Sequence, residues 1–194
     1  MPKSHATKLA LKLVLLATLG FVAPSWFTTA FAQPDSVAIF AQKTESILIT
    51  EQKLGQLALQ KGTSLAVKNY GAMIAKQDGA MERSLKGAAQ TVQLVLPTTS
   101  DAEEQRFYNH LSQLTGAAFD RAYATNMVQV QQSQVADFRT IAGLGPFAAI
   151  NMAPIKNFAV DNLAVIEAQL QQARQMAETV GANEAGANSV APVN

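Results

Sequence analysis

Glu51, Gln77, Gln131 and Asn162 are the residues whose types and spacing could do chemistry. Each is an oxygen-bearing side chain near the middle of a long segment with apolar helical periodicity. Four such groups at one level between facing helices is how a metal centre is built in an all-α core. The di-metal carboxylate version takes a Glu from each of two helices and a Glu-x-x-His from each of the others. No Glu-x-x-His occurs in this chain. Carboxylate and amide oxygens suit hard ions such as calcium, but Glu51 alone brings a single charge against the dehydration of a divalent ion. The other reading is a hydrogen-bonded polar layer of Glu51, Gln77, Gln131 and Asn162, since a buried charge without partners is strongly unfavourable. The layer is the better account of these residues. The expectation is no cofactor, with Glu51 as the one candidate metal ligand.

Other chemistries find little support. The chain has no cysteine, which excludes disulfides, thiolate metal sites and thiol catalysis. His110 falls in a short connecting segment away from the four residues. There is no Gly-x-Ser-x-Gly, and Gly143-Leu144-Gly145-Pro146 reads as a helix stop, not a phosphate loop. Met73, Met81, Met127, Met152 and Met176 could suggest copper(I), but without a Met-x-x-Met cluster they read as core filling. Asp120-Arg121 reads as a first-turn dipole and ion-pair arrangement. The protein is expected not to be an enzyme.

Four long helices and one short one must position the candidates. The first runs from about Ser36 to Lys61, with Phe40, Thr44, Ile47, Glu51, Leu54 and Ala58 on one face. Gly62 closes it, and Ser64 can cap a second helix whose inward face reads Tyr70, Met73, Gln77, Met81 and Leu85. Leu96-Pro97-Thr98-Thr99 breaks that helix. A short helix begins at Ser100 or Asp101, with Glu103 and Glu104 in its first turn, and ends near Thr115-Gly116. The third long helix, Ala117 to Ala142, points Phe119, Tyr123, Met127, Gln131, Gln134, Phe138 and Ile141 inward, although Val130 competes with Gln131. The apolar stretch Phe147 to Pro154 should fold over the open end of the core; otherwise it would meet a partner or a membrane surface. The fourth, Ile155 to about Val180, presents Ile155, Ala159, Asn162, Ile166, Leu170 and Ala173, and residues 181–194 read as a disordered tail.

The N-terminus reads as a secretory signal over residues 1–32. Lys3, Lys8 and Lys12 precede an apolar run from Leu13 to Val22, and Ala30-Phe31-Ala32 offers a cleavage site before Gln33. That run is too short to span a bilayer, which takes about 20 apolar residues. The chain carries 15 Lys+Arg and 14 Asp+Glu. Losing the three leader lysines leaves 12 basic against 14 acidic residues, net −2, with no basic stripe and so no nucleic-acid footprint.

Glu51-Gln52-Lys53-Leu54-Gly55-Gln56-Leu57-Ala58, Ala66-Val67-Lys68 and Met73 resemble the first half of a bacterial family of exported ferritin-like proteins. Leu111-Ser112-Gln113-Leu114-Thr115-Gly116, Phe119-Asp120-Arg121-Ala122-Tyr123 and Met127-Val128 resemble its second half more sharply. The likeness covers about Ser36 to Ala177. That family is catalogued as a domain of unknown function and often labelled as an outer-membrane protein. The resemblance implies an all-α, ferritin-like four-helix bundle over residues 33–180, with a long crossover between the second and third long helices. Family members usually carry Asp-His where this chain has Lys76-Gln77 and Val130-Gln131, and a histidine near Asn162. Of those polar residues only Glu51 is kept. A periplasmic location, with an envelope protein partner or outer-membrane association, follows as the expectation.

Overall fold

The computed structural model describes residues 34–147 and 149–189. These form α1 (Pro34–Lys61), α2 (Leu65–Thr91), α3 (Ala102–Ser112), α4 (Gly116–Ala142), a 3-10 turn (Ile150–Met152) and α5 (Ala153–Ser189). The described residues are helical throughout, with no strand. None of these helices is long and apolar enough to cross a membrane.

α1 packs along α2, α4 along α5, and the two pairs join mainly through α2 and α5. The α1–α2 crossing is close because it is made at two glycines. A Cβ on Gly55 would lie 2.4 Å from the Gly71 carbonyl oxygen, and one on Gly71 would lie 2.6 Å from Ala58 Cβ. This contact sets the register that puts Glu51 and Gln52 level with Asp78 and Gly79.

α3 is strapped to α1 at both ends. Asp101 caps it by accepting from the Glu103 and Glu104 amides at 2.9 Å. The Asp101 amide donates to Ser46 Oγ, and Thr50 Oγ1 donates to Ser100 Oγ, each at 2.7 Å. At the far end Lys61 Nζ donates to the Ser112 and Leu114 carbonyls. These bonds, with the covering helix, account for buried Thr44, Ser46 and Thr50 on a face that would otherwise meet water.

Asp120 does not serve its own helix as expected. It is buried, and its carboxylate accepts from the Thr63 and Ser64 amides, the latter at 2.7 Å, and from the Thr63 hydroxyl. It thus caps the start of α2 from across the molecule, where an anion suits both the free amides and the helix dipole. Phe119 and Tyr123 beside it stack at 5.6 Å in the core. The Phe-Asp-Arg-Ala-Tyr run is therefore a closure of this end.

Two expectations at the chain's other features need correcting. α5 does not stop at Gly181 but continues to Ser189, so most of the expected disordered tail is helix. Gly181 and Gly186 each cost only about 1 kcal/mol in a helix, and Ala182, Glu184 and Ala185 favour its continuation. The stretch after Gly145 also fails to cover the core as a whole. Ala149 is buried, but Phe147 is 78% exposed and Ile150 65%. The leader lies outside the described residues.

Candidate functional site: a buried carboxyl–amide layer

The core falls into two apolar clusters. One holds Leu48, Met81, Leu85, Val135, Phe138, Ile166 and Leu170; the other holds Leu54, Ile74, Met127, Tyr123 and Ala173. Between them every long helix contributes a polar residue: Glu51 from α1, Asp78 from α2, Gln131 and Gln134 from α4, Gln169 from α5. All five are buried, Glu51 at 1% and Asp78 at 0% exposure.

Gln131 Nε2 donates to Glu51 Oε1 at 2.8 Å, and Gln134 Nε2 to Glu51 Oε2 at 2.9 Å. Gln169 Nε2 donates to Asp78 Oδ1 at 2.9 Å and to Gln77 Oε1 at 3.1 Å. The two carboxyls lie within hydrogen-bonding reach of each other. Burial first, then the Asp78 charge, pushes Glu51 well above the ordinary carboxylate range. Burial raises Asp78 to about 7, against the pull of its bonds from Gln169 and Glu51. Two like charges cannot both be held in this dry interior, so the pair keeps a proton at neutral pH and titrates as a unit. The Tyr70 and Tyr123 rings pack edge to face at 6.2 Å beside it. Burial, then the Glu51 charge, raises both hydroxyls, which stay protonated.

A family model described as a domain of unknown function (DUF4142) matches residues 27–176. The chain belongs to the DUF4142 family. No curated protein and no solved structure matches it significantly.

In this DUF4142 chain the sequence expectation for the layer holds at two of its four positions. Glu51 and Gln131 meet as expected, and Val130 is displaced to the half-buried flank. Gln77 is only half-buried and touches the layer through Gln169. Its neighbour Asp78 takes the inward place. Asn162 does not join; its Nδ2 donates to the Phe158 carbonyl of its own helix at 2.8 Å. The α5 residue in the layer is Gln169, two turns further on. Gln134, read as inward-facing, proves to be a second donor to Glu51. The spacing Tyr70, Ile74, Asp78, Met81, Leu85 carried the signal for Asp78, but hydropathy assigns an aspartate to water.

Elsewhere, His110 is exposed on α3, and no group of three or more His, Cys, Asp or Glu gathers among the described residues. Met81, Met127 and Met176 fill the core, while Met73 and Met152 are half-buried. Glu45 is a further buried acid, outside the layer. Lys86 Nζ stands 3.2 Å from it while also bonding Glu82, and burial raises the Glu45 pKa against that pull. A cleft of about 350 Å³ runs between α1, α3 and α4, with Asp101, Glu103 and Glu104 on its wall. Burial and those acids raise Glu104 to about 7.

Proposed function

We propose that the protein is an exported, non-enzymatic ferritin-like four-helix bundle that serves the cell envelope as a structural or binding module. The enclosure of the layer carries this reading. The side chains that could do acid–base work sit between two apolar clusters at a few per cent exposure or less, which leaves no open face to an organic substrate. What the molecule offers to solvent is different: Phe147 and Ile150 stand out from the α4–α5 connection, a pattern that suits contact with another surface. Export rests on Lys3, Lys8 and Lys12, the apolar run after them and Ala30-Phe31-Ala32. The paired packing of α1 with α2 and α4 with α5, joined by the α3 crossover, supports the ferritin-like arrangement.

The test is crosslinking in intact cells followed by purification of the tagged protein. F147S/I150S should keep its helical spectrum and lose its crosslinked envelope species. E51Q/D78N, which removes both ionisable groups of the layer, should keep them. The opposite pattern would overturn the scaffold reading.

A further inference from the structure

We propose that the carboxyl–amide layer is a binding site for one hard divalent cation of the calcium class. The folded chain supplies what the sequence lacked, a second carboxylate: Asp78 beside Glu51 brings the formal charge of the pair to that of a dication. Three amide oxygens around them are buried without a donor, namely Gln131 Oε1, Gln134 Oε1 and Gln169 Oε1, and Asp78 Oδ2 has none but the proton the acid pair shares. The nitrogens of the same three glutamines are already committed to the two carboxylates. Each amide is therefore anchored at its nitrogen with its oxygen left free next to the pair.

Buried polar atoms are ordinarily satisfied by a donor, a water or an ion. The three amide oxygens are acceptors, and besides Asp78 Oδ2 the only other unpartnered groups beside them are the Tyr70 and Tyr123 hydroxyls. A water would satisfy two acceptors but bring lone pairs of its own, with only those hydroxyls left to serve them. A cation asks for acceptors alone. Carboxylate and amide oxygens are what calcium takes, usually six to eight in number. Magnesium keeps several waters and strict octahedral geometry, which this dry interior suits poorly. Transition metals favour the imidazole or thiolate that the layer lacks.

The acidic cleft is bounded on α1 and α4 by residues that neighbour the layer along the chain. Ile47 and Val130 line it; one lies a helical turn from Glu51 and the other adjoins Gln131. The Glu104 charge is felt at Glu51. The inference stands independently of export and of any partner.

The probe is terbium, a calcium surrogate whose emission is sensitised by nearby tyrosine. Protein stripped with EGTA is equilibrated with terbium chloride, then titrated with calcium or magnesium chloride. The expected result is saturable one-site emission, displaced by calcium at concentrations at least tenfold below those of magnesium. Asp78→Asn should weaken it at least tenfold with an unchanged helical spectrum, and Gln169→Leu several-fold. Glu167→Gln, a surface change, should leave it as it is. Absence of saturable emission, or equal loss in Glu167→Gln, would overturn the cation site and leave water in the layer. The scaffold reading survives that failure, because its own test is the crosslinking pattern.

Discussion

Removing the buried acid pair with E51Q/D78N should remove most of the acid-side pH dependence of this protein's stability, a large share of it through the Asp78 carboxyl. The carboxyl has an ordinary value of 3.8 and is raised to about 7 in the fold, chiefly by burial. A raised folded value means that the native state holds the proton more tightly than the unfolded chain. The stability tied to that proton is fully present below about pH 4 and is lost as the pH climbs through about 7. Each tenfold in proton affinity is worth about 1.4 kcal/mol, so the loss is on the order of 4 kcal/mol. Coupling to Glu51, also raised, makes this a property of the pair. Urea unfolding in EGTA at several pH values between these limits measures it. The native protein should lose stability steadily as the pH rises, D78N should keep the part due to Glu51, and E51Q/D78N should stay nearly flat and overtake the native protein at neutral pH. Glu104, half-buried, titrates in the same window, and solvent screening should keep its share smaller. Native stability that rises with pH, or an E51Q/D78N curve parallel to the native one, would refute the reasoning.

Four further outcomes follow from the local surroundings of particular residues. Asp120→Ala leaves the Thr63 and Ser64 amides and the Thr63 hydroxyl without their acceptor, so it should cost about 2–4 kcal/mol. That is a fall of about 10 °C in Tm by thermal circular dichroism. Gly71→Ala forces α1 and α2 apart and should cost about 1–2 kcal/mol net of its helix-propensity gain; Gly87→Ala, with nothing within 4 Å of the new Cβ, should stabilise by up to about 1 kcal/mol. Gln93 closes α2 at φ 55°, with the Leu94 amide bonded to the Ala89 carbonyl at 2.9 Å. Gln93→Gly should therefore gain about 1 kcal/mol in urea midpoint measurements.

Much of the fold is legible along the chain because helices are local objects. Gly62, Ser64, Asp101, Thr115 and Gly143 act on their immediate neighbours, and helix ends fall within a residue or two of them. Apolar periodicity also finds most of the core, from Phe40 and Leu54 to Phe138 and Ile166. It fails where a face must be chosen between adjacent residues. Gln77 and Asp78 are about 100° apart on α2, and the hydrophobic ranking sends the aspartate outward. On α5 the same reasoning stops at Asn162, which satisfies itself on its own helix, and misses Gln169.

The sequence by itself determined an all-α chain, most of its helix boundaries and the membership of Glu51 and Gln131 in the core. Those follow from local propensity and from periodicity, which need no knowledge of what lies opposite. Only the tertiary structure decided that Asp78 is buried and paired. The two apolar clusters keep water out and so make burying the acid costly, and that cost is offset by groups from other helices: Glu51 across the glycine crossing and the amide of Gln169 from α5. The reach of Asp120 from α4 to the start of α2 was decided in the same way. A side chain's partners belong to the fold, and so does the charge state they impose on it.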